Sequence, residues 1–324
     1  MDRNVKLDKT NIEKVLNDNF VKLMPTFYEM QSTFLSGIYK RYGDLEGGNI
    51  VIFFARDLHL EILRKRENDL NFNLSLDNFW NNHKDVEQEK KKIIYISEQT
   101  GLAKETTRRK LISLVKKKHI KKGDKNRLFW EPASEFKDSY IKIIEEQISS
   151  LSKFIYEQGR FLELNLSYSK IYREIKENYS FFWYHYLTFQ LDYIRYWQEQ
   201  LRDLEMLLIG LQTQIQTLHF LRKKTSGDFD FFFLNKVPKS INIKDANISA
   251  TSISEITGIP RATCIRKLER FVKMKFLDKD KFSKRYFLLL NQLNTNPSIP
   301  ATEGMKRSIS IFSKFSSTIL KSIY

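Results

Sequence analysis

The sixteen residues Ile96–Leu111, ISEQTGLAKETTRRKL, return at Ile253–Leu268 as ISEITGIPRATCIRKL. Ile, Ser, Glu, Thr and Gly recur in order, Thr106 matches Thr263, and Arg109-Lys110-Leu111 matches Arg266-Lys267-Leu268. A segment written twice is expected to fold twice. At 324 residues the chain is long enough for two domains with ordinary cores.

Residue chemistry parses each copy. Ile93 to Thr100 has the apolar spacing of a short, half-buried helix. Gly101 follows where the chain must turn with positive φ, which glycine adopts without steric cost. Leu102, Thr107, Leu111, Leu114 and Val115 then recur at helical spacing, giving one apolar face. The second copy places Ile259, Cys264, Leu268, Phe271 and Val272 there, and Pro260 suits the start of a helix. Cys264 reads as a small core residue. A hairpin signal closes each copy: Gly123-Asp124 before Arg127 to Trp130, and Asp280-Lys281 with a Ser283 turn before the run ending at Leu290.

Charge is concentrated on the same stretches. Lys90 to Arg127 holds 14 Lys and Arg against 3 Asp and Glu, and Thr251 to Leu290 holds 10 against 4. Their net charges of +11 and +6 together exceed the whole-chain +16 by one, so the remainder is close to neutral. Basic charge localised in this way is the footprint of a phosphate-binding surface.

Helix, glycine turn, second helix and two-stranded wing is the order of a winged helix-turn-helix. Both copies fit the pattern T-G-[LI]-x-[RK]-x-T-x-x-R-x-L. In this they resemble the DNA-binding modules of bacterial transcriptional regulators of the MarR, GntR and Crp types. The resemblance covers about forty residues per copy and no named family matches the rest. It implies double-stranded DNA as partner, with the start of each second helix in the major groove. In the first copy the residues left for that role are Lys104, Glu105, Thr106, Arg108, Arg109 and Lys110; in the second, Arg261, Thr263, Arg266 and Lys267. Arg109 and Arg266 occupy matching positions, where a guanidinium suits a bidentate contact to guanine. Thr106, Thr263, Lys110 and Lys267 suit phosphates. The wings add Lys121, Lys122, Lys125 and Arg127, then Lys279, Lys281, Lys284 and Arg285. The first copy is the more basic, with Arg108 where the second has Ile265.

A fainter similarity lies upstream, where Asp44-Leu45-Glu46 matches Asp203-Leu204-Glu205 and His59 falls near the place of His219. The expected fold is mainly α with small β-hairpin wings: two helical hairpins, each followed by a winged helix, arranged as a pseudo-dimer. The expected divisions are an N-terminal segment 1–21, first unit 22–132, one connecting amphipathic helix 133–178, second unit 179–290 and tail 291–324. The tail is expected to begin as a flexible linker and end as a basic amphipathic helix, loosely docked, with membrane contact less favoured. Self-association through the helices stays open.

No constellation for catalysis, metal or cofactor is expected. The five histidines, His59, His83, His119, His185 and His219, are scattered, and neither a P-loop nor a dinucleotide fingerprint occurs. Gly47-Gly48 reads as a turn or a close helix contact. A single cysteine suits a reducing cytosol. Met1 to Thr10 precedes no apolar core, so a secretory signal is not expected. Three functions remain open: a non-enzymatic, sequence-specific regulator on a bipartite site; a plasmid-type replication initiator with two winged helices; and a scaffold whose winged helices bind protein.

Overall fold

The computed structural model describes residues 6–89, 91–124, 127–225, 241–290 and 301–324. Among them are thirteen α-helices and two antiparallel strand pairs. The helices are α1 (Lys9–Asp18), α2 (Phe20–Tyr42), α3 (Leu45–Asn68), α4 (Leu76–Asn82), α5 (Ile93–Thr100), α6 (Lys104–Lys116) and α7 (Lys137–Phe161). They continue as α8 (Tyr168–Glu177), α9 (Tyr179–Leu201), α10 (Leu204–Thr225), α11 (Ala250–Thr257), α12 (Arg261–Lys273) and α13 (Ala301–Ile323). Strands β1 (Lys121–Lys122) and β2 (Leu128–Phe129) form one hairpin, β3 (Leu277–Lys279) and β4 (Tyr286–Leu288) the other. Among the described residues no helix is long and apolar enough to cross a membrane.

Two long helical hairpins supply the core. The turn between α2 and α3 uses Gly43 at φ 71, after which the Asp44 carboxylate accepts from the Glu46 and Gly47 amides at 3.2 and 3.0 Å. The turn between α9 and α10 places Arg202 at φ 55, and Asp203 accepts from the Glu205 and Met206 amides at 3.1 and 3.2 Å. Each aspartate satisfies amides that the first helical turn leaves without partners. Gly47-Gly48 is no turn but lies inside α3, where a side chain at Gly48 would collide with Ile38 of α2.

The hairpins pack against each other. α3 lies on α9, α10 on α2, α1 on α13, and α7 on both α2 and α8. At the centre Gln190 Nε2 donates to Gln31 Oε1 at 2.6 Å, both fully buried. Gln31 is the twelfth residue of α2 and Gln190 the twelfth of α9. On either side, Phe27 meets Tyr193 with ring centroids 6.3 Å apart, and Phe34 meets Tyr186 at 5.4 Å. The eighth residue of each helix therefore faces the fifteenth of the other. The aromatic run of α9 is helix-packing core, and each such ring stabilises the fold by roughly 1.5–3 kcal/mol through burial.

Two expectations need correcting. The connecting segment is not one helix: α7 ends at Phe161, Glu163 takes φ 57, and α8 starts a new direction at Tyr168, with the Ser167 hydroxyl accepting from the Lys170 amide. Nor is the C-terminal helix loosely docked. Met305, Ile309, Phe312, Phe315, Ile319 and Ile323 of α13 are buried, against α1 and α9, and Trp197 Nε1 donates to Ser308 at 3.1 Å. Of the expected linker, 291–304, residues 291–300 lie outside the described residues, and Ala301 to Gly304 are not linker but the first turn of α13.

Candidate nucleic-acid interface

Each repeated segment builds the same local structure by the same bonds. α5 ends at Gly101, φ 70, and α11 at Gly258, φ 78. The Thr100 hydroxyl donates back to the Ile96 carbonyl and the Thr257 hydroxyl to the Ile253 carbonyl, both at 2.7 Å. Ser97 donates across the turn to the Leu102 carbonyl at 2.5 Å, as Ser254 does to Ile259 at 2.7 Å. After the second helix the chain again turns left-handed, at Lys118 (φ 60) and Lys275 (φ 53), and enters the hairpin. The recurring Ile, Ser, Thr and Gly are thus accounted for by the turn itself.

The recurring lysine has a different role from the one its position suggested. Lys110 Nζ lies 2.7 Å from Asp44 and 3.1 Å from Glu46; Lys267 Nζ lies 2.6 Å from Asp203 and 2.9 Å from Glu205. Their side chains are 20% and 10% exposed, so neither stands open at the helix edge as a phosphate contact would. Burial alone would lower the Lys110 pKa, but hydrogen bonds and charge from Asp44 and Glu46 outweigh it and raise it. These two lysines are corrected to clamps that fix each second helix on its own helical hairpin. The upstream Asp-Leu-Glu match is the other half of that clamp.

The remaining positions divide between open and tied. Lys104, Glu105, Arg108 and Arg109 are exposed on α6, and Thr106 is half-buried. Arg108 bridges Glu105 at 2.9 Å on the surface, whereas Arg109 makes no hydrogen bond or ion pair among the described residues. On α12, Arg261 and Arg266 are exposed and Thr263 is half-buried. Arg261 Nε donates to the Thr251 hydroxyl at 3.0 Å, and Arg266, like Arg109, is unpaired among the described residues. In the hairpins, Lys121 bridges Glu131 at 2.8 Å, Arg127 lies 3.5 Å from Glu87, and Lys122 is exposed. Lys125 lies outside the described residues. Lys281, Lys284 and Arg285 are exposed, with Arg285 donating to Asn247 at 3.3 Å. Lys279 is bound to Glu269 at 2.6 Å, which also accepts from Tyr286 Oη at 2.7 Å. The Lys279 hydrogen bond first, then that of Tyr286, holds the Glu269 carboxyl below its ordinary pKa.

The outer surfaces of the two segments differ. Between α5, α6 and the first hairpin lies an open cleft of about 830 Å³, with Lys104, Arg108 and Lys122 above exposed Ile94 and Ile112. In the second segment the chain before α11 covers the hairpin: Ile248 and Tyr286 exchange backbone hydrogen bonds of 2.9 Å in both directions. Sequence reading missed this cleft, the Glu269 brace, and Phe282, which is 94% exposed at the second hairpin's tip. Phe282 carries a signal that was legible, an aromatic residue between Asp280-Lys281 and Ser283-Lys284 in a polar turn.

The other reactive side chains lie in the core. Cys264 is buried, and burial, the largest cause, pushes its thiol up to about 11. Burial likewise lowers His59 to about 3 and His119 to about 4. His59 and His219 are not equivalent: His59 stacks on Phe79 inside the core, whereas His219 is exposed and meets Glu29 at 2.7 Å. Among the described residues no group of three or more His, Cys, Asp or Glu could hold a metal ion. No family model matches the chain, and comparison with curated proteins and with solved structures found no match.

Proposed function

We propose that the chain is a sequence-specific DNA-binding regulator of transcription, with two winged helix-turn-helix units held by one pseudo-dimeric helical body. The observation that carries this reading is the matched pair Arg109 and Arg266. Both project from the same position of the two second helices, exposed and unpaired among the described residues, while the lysine beside each is clamped inward. An arginine with its fork free can meet guanine O6 and N7 in the major groove. Lys104, Lys122, Lys281 and Lys284 supply phosphate contacts around it.

An internal duplication accounts for the body. α1 and α8 both have ten residues and α2 and α9 both have twenty-three, and each pair is followed by the same clamp-bearing turn. The contacts of Gln31 with Gln190, Phe27 with Tyr193 and Phe34 with Tyr186 are those expected across a local two-fold axis. Dimeric helix-turn-helix proteins read half-sites about one helical turn, roughly 34 Å, apart. A chain carrying both units can meet such a bipartite site as a monomer.

Selection from random duplex DNA across a salt series tests the proposal. A bipartite motif should be enriched, with affinity falling steeply as salt rises. Arg109→Ala and Arg266→Ala should each relax one half of the motif at a cost of about 1–3 kcal/mol. Failure to enrich any motif, with both variants binding duplex like the parent, overturns it.

A further inference from the structure

We infer that Phe282 is a wedge that enters the minor groove beside the second unit's half-site, between the bases of a flexible step, and kinks the duplex. The inference rests on the DNA-binding reading above. Phe282 is 94% exposed, the most exposed large apolar side chain among the described residues. Lone exposed apolar residues are common on protein surfaces. This one is distinguished by the rigidity of its mounting and by the charge around it.

The tip is a tied turn. The Asp280 carboxylate accepts from the amides of both Phe282 and Ser283, at 3.1 and 2.6 Å. The Asp280 amide donates to the Arg285 carbonyl at 2.9 Å, and the Lys284 amide returns to the Asp280 carbonyl at 3.0 Å, with Lys284 left-handed at φ 57. Behind the tip, Glu269 of α12 holds both strands through Lys279 and Tyr286, and the Ile248 backbone adds a further bridge at Tyr286. The hairpin is therefore fixed to the helix that bears Arg266. A wedge needs such a lever, because separating stacked bases has to be driven by contacts made elsewhere on the protein.

The surroundings select the occupant. Lys281, Lys284 and Arg285 flank Phe282 and are exposed, and the one carboxylate in the turn, Asp280, is occupied by backbone amides. An apolar side chain framed by three cations matches a base step framed by phosphates. Phe, Leu, Ile, Met and Pro are the side chains that wedge duplexes open, and pyrimidine–purine steps open most readily. The first hairpin is the internal contrast. In the sequence, the residues between β1 and β2, Gly123 to Arg127, include no apolar side chain. The kink thus falls on one side of the site only.

The test uses the full chain and the best-enriched selected duplex, carrying a fluorescent donor and acceptor at its ends. The parent should bend that duplex by an amount within roughly 20–90°. Phe282→Ala should abolish most of the bend and weaken binding roughly five- to a hundredfold, the range for losing one base–aromatic contact. Phe282→Leu should restore most of the bend, and both variants should melt at the parent temperature. Selected sites should carry a TA or CA/TG step on the Arg266 side alone. Equal bending and affinity of parent and Phe282→Ala on DNA overturns the wedge and leaves the DNA-binding reading standing. Flotation of the parent on anionic phospholipid vesicles, lost in Phe282→Ala, together with unchanged bending, overturns it in favour of a membrane role. Absence of any duplex binding by the parent overturns the DNA-binding reading itself.

Discussion

The two repeated segments, each two helices joined at a left-handed glycine, share a skeleton and differ on the surface. Both have the left-handed glycine, the Ser and Thr bonds across the turn, and the lysine clamped by an Asp and a Glu. Their outer faces diverge. Arg108 stands where the other has Ile265, and exposed Ile112 stands where the other has Glu269 bracing its hairpin. One segment has an open, cation-rimmed cleft; the other is closed by Ile248 and ends in Phe282. The letters retained in both copies are mostly those the fold needs. Arg109 and Arg266, like Glu98 and Glu255, match between the segments and stand exposed without a hydrogen bond or ion pair among the described residues.

The largest test of the shared skeleton is the clamp. Breaking a buried ion pair by removing one partner costs about 3–5 kcal/mol. Lys267→Met should approach about 3 kcal/mol in urea denaturation, because its side chain is only 10% exposed. Lys110→Met, at 20% exposed, should lose about 1–2 kcal/mol. Folded Lys110→Met should bind the selected DNA as the parent does, since the ammonium never faced it. A large loss of affinity without loss of stability would show that the lysine leaves its clamp.

Acid should separate the two halves next. Burial holds His59 at about 3 and His119 at about 4, against an ordinary 6.5, so the folded chain keeps both neutral where the unfolded chain takes up protons. Their contribution is fully present above about pH 6.5 and is lost as pH falls toward those folded values. The slope approaches about 1.4 kcal/mol per pH unit for each histidine. His59 packs on Phe79 and Tyr179, and His119 lies between Tyr42 and Phe136 at the first hairpin; burial also lowers the half-buried His185, but the fully buried histidines among the described residues all lie in the first unit. Hydrogen exchange near pH 5 should therefore quicken in α6 before α12. His59→Phe should flatten the pH dependence.

Gly101→Ala and Gly258→Ala should each lose about 1–2 kcal/mol, the cost of a left-handed alanine. The side chains a new Cβ would touch, Arg195 and Lys40, are flexible and can move. Unequal losses would mean that the two turns are not the same structure. The smallest stability change is expected for Glu269→Ala. Its bridge to Lys279 is partly exposed, at 38% and 32%, so removal should change stability by less than about 1 kcal/mol. The same change should soften the Phe282 kink, because the hairpin loses its tie to α12.

Legibility followed the range of the interactions. The bounds of α5, the turn at Gly101 and the hairpin positions could be read because their causes are local: a positive φ, hydroxyl bonds spanning five residues or fewer, and an apolar period. Cys264 was recognisable as core for the same reason. The connecting segment misled because its apolar period runs on through α7 toward α8, while the break at Glu163 depends on how the two helices fold together. The tail misled because an amphipathic stripe states that a face will be covered, and the cover comes from α1 and α9, each more than ninety residues away along the chain.

The sequence by itself determined the two helix, glycine turn, helix segments, their basic charge and the matched arginines, because backbone preference and net charge act over a few residues. Only the tertiary structure decided which cations stay free. Lys110 and Lys267 look like surface lysines until carboxylates 66 and 64 residues earlier are brought beside them. Two charges attract according to their separation in space, and the order of residues along a chain does not carry that distance.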